Sequence, residues 1–188
     1  MTTHRGGGGL DQGSRRAIKT LVLMRHAKAG WDDEAQEDID RPLTPRGRDE
    51  AVHMGNWLAG QAFAPDLLLA SSARRARETA ELVGPRLAPP PGQRLDQALY
   101  MASPGTILAA LQGLPDALAR VLVIGHNPGL HALALLLTGT GARPERLRLQ
   151  SHFPPAAVAM FRFESRHWRE LAPGAGFLVH YAEPRDVA

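Results

Sequence analysis

Three short apolar runs, Ile18–Met24, Asp66–Ala70 and Arg120–Ile124, recur along the chain without internal polar alternation. A strand built from such a run has no face fit for water, so it belongs in a sheet covered by helices on both sides. The intervening sequence switches to helical spacing. Thr44-Pro45, Ser103-Pro104 and Asn127-Pro128 each join a capping residue to a proline suited to the first helical position. Behind them Ala51, Met54 and Leu58, then Ile107, Leu108 and Leu111, then Leu130, Leu133, Ala134 and Leu137 fall on single helical faces. Leu136 is expected in the core with Leu133 and Leu137. A further helix is predicted from about Ala73 to Leu87, through Ala76, Ala80 and Val83. Two more strands are expected near 156–163 and 177–181, with His167-Trp168 near the turn between them. This alternation predicts an α/β fold: a three-layer α/β/α sandwich with a mostly parallel central sheet.

The 188 residues suffice for one domain with a proper core. Residues 1–16, with the run Gly6–Gly9, read as a flexible tail, and 17–188 as a single domain. The absence of cysteine excludes disulfides, thiolate metal sites and cysteine nucleophiles. The longest apolar segment, about Leu130–Leu137, is far short of the roughly 20 residues of a membrane span. MTTHRGGGGLDQGSRR has no apolar centre and does not read as a secretory signal, so a cytoplasmic protein is expected. A net charge of +3 leans towards an anionic ligand. No dense basic block appears and only 5% of residues are aromatic, so nucleic acid is not an expected partner.

Ligands of open α/β sheets collect beyond the carboxyl ends of the strands. Arg25-His26 follows the first apolar run, Ser71-Ser72-Ala73-Arg74-Arg75-Ala76 the second and Gly125-His126-Asn127-Pro128-Gly129 the third. If the three strands are parallel neighbours, two histidines and at least two arginines converge on one crevice. Guanidinium groups bind phosphate oxygens bidentately. A helix opening at Asn127-Pro128 adds backbone N–H donors, and glycines at 125 and 129 allow close backbone approach. A neutral imidazole can itself accept a phosphoryl group, and neighbouring arginines favour its neutral form.

These motifs resemble those of the histidine phosphatase superfamily, also called phosphoglycerate-mutase-like. Arg25-His26-Ala27 is similar to its RHG signature, with alanine for glycine. Ser71–Ala80 resembles its SPxxRAxxTA helix, with serine for proline, and Gly125–Gly129 its second-histidine motif. Asp40-Arg41-Pro42-Leu43-Thr44-Pro45-Arg46-Gly47 resembles the RPLTxxG element of the SixA branch, the phosphohistidine phosphatases. The resemblance runs over roughly residues 18 to 182. It implies that His26 is the nucleophile, that Arg25 and Arg75 clamp the phosphoryl oxygens, and that His126 stabilises the group in transfer. The Asn127 backbone N–H adds to the pocket, and neither metal nor cofactor is implied.

Only 51 positions separate Arg75 from His126, room for one short strand and one helix but not for a large cap. The expected site is therefore open. It suits phosphohistidine on a protein or, equally, a small phosphate ester; a non-catalytic phosphate- or partner-binding domain is the reading from another class. Larger members of the superfamily use a glutamate acid between the second and third motifs. Here that segment, RLDQALYMASPG, offers only Asp96, and the loop 32–40 offers several other carboxylates. Lys28 and Arg41 are candidates for the pocket border. His131, five positions after His126, is off the same helical face and does not form a metal pair with it. His4, His53, His152, His167 and His180 read as surface or packing residues.

Overall fold

The computed structural model describes residues 17–31 and 35–187. The expected tail, 1–16, and the carboxylates Asp32, Asp33 and Glu34 lie outside the described residues. The chain forms strands β1 (Ile18–Arg25), β2 (Leu67–Ser71), β3 (Gly92–Asp96), β4 (Arg120–Gly125), β5 (Thr138–Gly141), β6 (Val158–Glu164) and β7 (Gly176–Ala182). The helices are α1 (Pro45–Gly60), α2 (Arg74–Val83), α3 (Pro104–Gln112), α4 (Gly129–Leu137) and α5 (Arg143–Ser151).

All seven strands join one sheet in the order β3-β2-β4-β1-β6-β7-β5. Pairing is parallel from β3 through β1, and β6 alone runs against its neighbours. The three apolar runs occupy the central positions, as their composition requires. Leu21 to Met24 and Val121 to Ile124 are at most 1% exposed. Alternate residues of each strand serve opposite faces. Leu21, Leu23, Leu69, Val121 and Val123 pack with Ile107 and Leu111 of α3 and Leu130 and Leu133 of α4. Val22, Met24, Leu68, Leu122 and Ile124 pack with Ala51, Met54 and Leu58 of α1 and Ala76 and Ala80 of α2. The result is the three-layer sandwich. Among the described residues no helix is long and apolar enough to cross a membrane.

Two of the three expected proline caps form. Thr44 Oγ1 accepts from Gly47 N–H at 3.0 Å and Ser103 Oγ from Thr106 N–H at 3.1 Å. The third does not: α4 starts at Gly129 with Pro128 as its cap residue, and the Asn127 side chain is turned to the Phe153 carbonyl, to which its Nδ2 donates at 2.9 Å. α2 stops at Val83 rather than Leu87; Pro85 lacks an N–H and bars the continuing helix. Leu136 is 39% exposed, off the buried stripe of Leu130, Leu133, Ala134 and Leu137, so it is not core. Gly129 serves packing rather than a ligand: a Cβ there would lie 1.8 Å from the Ala102 carbonyl oxygen.

Candidate active site

The register of the central strands assembles the site. Arg25 pairs with Gly125 across β1 and β4, and Ala70 pairs with Ile124 across β2 and β4. The residues one step beyond Arg25 and Gly125, His26 and His126, therefore emerge at one level, with Ser71 one residue behind them beside Gly125. His26 N–H continues the ladder to the Gly125 carbonyl at 3.0 Å, and the two histidine rings stand 5.0 Å apart between centroids. Arg75 arrives from the first turn of α2, 3% exposed. The loop after β1 is tied to that helix by Thr79. Its Oγ1 accepts from Ala27 N–H at 3.1 Å and donates to the Arg75 carbonyl at 2.6 Å.

The contacts of His26 fix its tautomer. His26 Nδ1 lies 2.8 Å from the Ala27 carbonyl oxygen, which can only accept, so Nδ1 carries the proton. Nε2 keeps its lone pair and accepts from Arg75 Nε–H at 3.3 Å. His126 Nε2 lies 2.8 Å from Ser71 Oγ, while Ser71 Oγ also accepts from Ala73 N–H at 3.3 Å. The buried His126 Nδ1 and Arg25 Nε have no partner among the described residues. An unpaired buried donor costs about 1–3 kcal/mol, so the Arg25 Nε–H calls for an acceptor, and His126 Nδ1 for a polar partner. Arg25 is aimed by its Nη1, which donates to the Phe153 carbonyl at 3.1 Å.

Both imidazoles are held neutral. Burial lowers the His26 pKa to about 3; His126, Arg75 and Arg25 push the same way, against the Ala27 hydrogen bond. Burial and then Arg75 lower that of His126 to about 4. The arginines thus add to an effect that burial leads. Burial, then Arg75, also lowers the pKa of Arg25.

A cavity of about 340 Å³ opens here, lined by Arg25, His26, Arg75, His126 and Asn127 together with Lys28, Asp38, Arg41 and Pro155. All five residues singled out from the sequence meet in it. Arg41 borders it and also anchors its loop, donating to the Gly30 carbonyl at 3.2 Å and stacking over Trp31 at 4.4 Å. Asp96 does not reach it: its carboxylate accepts from Ala98 N–H at 2.9 Å and caps a turn at the sheet edge. The loop carboxylate that does reach it is Asp38. Its Oδ2 accepts from Arg75 Nη2 at 3.0 Å and from the Tyr100 hydroxyl at 2.7 Å. Its Oδ1 accepts from Arg41 Nη1 at 3.0 Å and its carbonyl from Arg75 Nη1 at 2.5 Å. Burial opposes its ionisation, but the hydrogen bonds from Tyr100, Arg41 and Arg75 prevail and lower its pKa to about 2. His131 points elsewhere, to the Leu149 carbonyl at 2.7 Å, and stacks on Phe153.

Three supporting residues escape the sequence reading: Ser71, Thr79 and Tyr100. Ser71 and Thr79 lie inside the helix motif that carries Arg75. Tyr100 meets the His126 ring edge-on at 5.6 Å, and no local pattern marks it.

Residues 21–98 match the family model of the histidine phosphatase superfamily, branch 1. Phosphohistidine phosphatase SixA of Escherichia coli is 40% identical over 110 residues, 57% of this chain and 67% of that one. An uncharacterized protein of Mycobacterium tuberculosis is 38% identical over 165 residues, 86% of this chain and all of the relative. The solved structure of the protein histidine phosphatase SixA complexed with tungstate superposes with TM-score 0.72 at 30% identity, covering 90% of this chain and 99% of that one. A Nakamurella multipartitia protein assigned as phosphohistidine phosphatase SixA gives TM-score 0.76 at 32% identity, covering 89% and 97%. The chain belongs to the histidine phosphatase superfamily and is a phosphatase. Within that family its likeness is to the SixA-type members.

Proposed function

We propose that the chain is a metal-independent phosphatase that removes phosphate from phosphohistidine on a protein, through a phosphohistidine of its own. The observation that carries this reading is the state of His26. Its Nδ1 proton is committed to a carbonyl, its Nε2 lone pair is held at the cavity by a 3.3 Å contact from Arg75 Nε–H, a donor that a phosphoryl group can draw away, and its pKa of about 3 keeps it a free base at neutral pH.

In the first step His26 Nε2 attacks phosphorus and the bond from phosphorus to the substrate nitrogen breaks. The substrate imidazole takes a proton from solvent water, which the open cavity admits, and departs neutral. Arg25 and Arg75 hold the phosphoryl oxygens, and His126 Nδ1–H and the Asn127 backbone donate to them. Water then attacks the phosphohistidine, releasing inorganic phosphate and restoring the Nε2 lone pair. Phosphoryl binding needs the Arg75 donors that now serve His26 and Asp38, so the ligand displaces Asp38 from Arg75.

Two features favour an imidazole leaving group over an alkoxide. Asp38 is the one described carboxylate lining the cavity, and it is ionised, so it is not a ready proton donor. An ester without an acid loses roughly 10²–10⁴-fold, whereas imidazole departs readily once protonated. The short β3 and α3 that connect β2 to β4 leave the cavity uncapped, open to a bulky substrate. The SixA relatives point the same way. The test compares kcat/KM on a phosphohistidine protein with a panel of sugar and nucleotide phosphates. A clear preference for the former is expected. Preference for the esters would replace this reading with a small-molecule phosphomonoesterase, and binding without turnover would replace it with a phosphate-binding domain.

A further inference from the structure

Beside the catalytic cavity lies a second one of about 330 Å³. Lys28 and Pro155 line both, so the two lie side by side across a shared wall and together form a trough along which an extended ligand can run. Arg46, from the first turn of α1, and Arg185, from the turn after β7, line the second part, with Pro154 and Pro184 between the charges.

The second part is fastened to the first. Phe153, directly before Pro154, gives its carbonyl to both Arg25 Nη1 and Asn127 Nδ2. The Lys28 carbonyl accepts from Thr44 N–H at 2.9 Å and Thr44 Oγ1–H at 3.2 Å, two residues before Arg46. A ligand lying along the trough thus meets side chains whose backbone is anchored relative to His26.

The charge balance favours an anion. The carboxylates of the second part are Glu50 and Glu183. Glu183 is 3% exposed and held by Arg148 at 3.3 Å and His152 at 2.9 Å besides Arg185 at 2.9 Å, so its charge is taken up internally. Glu50 pairs with Arg46 at 2.7 Å. Lys28, at the junction, is exposed, and its ammonium has no hydrogen bond or ion pair among the described residues. Three cations therefore line the second part against two carboxylates, and the Lys28 ammonium is the one left without a carboxylate partner among the described residues.

We infer that the second cavity binds an acidic stretch of the polypeptide that carries the phosphohistidine, its carboxylates meeting Lys28, Arg46 and Arg185. A phosphoryl group occupies only the catalytic part. A chain continuing from the phosphorylated side chain reaches the rest, and the proline walls suit extended backbone and aliphatic stems. The inference rests on the phosphohistidine reading above and specifies its substrate.

Two synthetic histidine peptides test it, one with Asp and Glu flanking the histidine and one with Asn and Gln, both phosphorylated with phosphoramidate. Free phosphohistidine is the third substrate. Wild type should show a KM about tenfold lower for the acidic peptide than for the neutral one, a difference set by rim charges. The double variant R46E/R185E should lose or invert that preference and keep its turnover of free phosphohistidine, which also shows that it is folded. Equal KM values for the two peptides with wild type overturn the inference, whatever the variant does; so does a double variant that is active yet keeps the preference. Failure of wild type on free phosphohistidine and both peptides overturns the substrate class itself, and this inference with it.

Discussion

Acidification should destabilise this protein well before its carboxylates titrate, because the site buries two uncharged histidines. His26 is 9% exposed and His126 2%, with pKa values of about 3 and about 4 against an ordinary 6.5. Below pH 6.5 the unfolded chain takes up protons that the folded chain refuses, so stability is present above 6.5 and is lost as pH falls towards 3–4. At about 1.4 kcal/mol per pH unit, each ring costs about 2 kcal/mol between pH 6.5 and 5, and the pair about 4 kcal/mol. That is a large share of a domain stability of about 5–15 kcal/mol. Urea unfolding at pH 7, 6 and 5 measures it, with His126→Gln as comparison. The variant should show about half the site's contribution to the pH slope of wild type. Equal slopes in the two proteins, or an NMR titration of His26 or His126 with a midpoint near 6.5, would refute the reasoning.

Arg75→Ala should lower kcat by roughly 10²–10³-fold, the scale of one lost oxyanion donor, in steady-state assays on phosphohistidine; a loss below threefold contradicts its role as clamp. Asp38→Asn keeps an acceptor for Arg75 and Tyr100 but removes the charge that competes with phosphate. Calorimetric titration with inorganic phosphate should show about tenfold tighter binding, a value reduced from the bare Coulomb figure because the Asp38 side chain is 42% exposed. Weaker binding would mean that Asp38 positions Arg75 rather than opposing the ligand. Gly129→Ala should destabilise the fold by about 1–3 kcal/mol in denaturant melts, since its Cβ meets the Ala102 carbonyl oxygen at 1.8 Å; a stability change under 0.5 kcal/mol contradicts that packing.

The parts of the fold that burial dictates were legible in the sequence. β1, β2 and β4 announce themselves as unbroken apolar runs, and the residues just past them, Arg25, His26 and His126, are named by position alone. β3, β5 and α5 were not foreseen, for a common reason. β3 is exposed at four of its five residues, β5 reads TGTG, and α5 buries only Leu149, so none carries an apolar pattern. Asp38 illustrates the same limit within the site. The sequence offers a loop of similar carboxylates, and only the fold shows which one meets Arg75 and a tyrosine 62 positions away. Local signals also mislead where a side chain turns to a tertiary partner. Asn127 has the sequence of a helix cap, yet its amide is taken by Phe153, across a gap of 26 residues.

The central claim is that His26 Nε2 takes the phosphoryl group, and rapid-quench trapping tests it most directly. Wild type and His26→Ala are mixed with a phosphohistidine protein labelled with radioactive phosphorus. The reactions are stopped in alkali, which preserves the acid-labile P–N bond, and the chains are separated. Label on the wild-type chain at His26 and none on His26→Ala, with inorganic phosphate released only by wild type, is the expected result. Phosphate release by His26→Ala at near-normal rate would contradict the claim, because it would leave the group that β1 holds in the cavity without a part in the reaction.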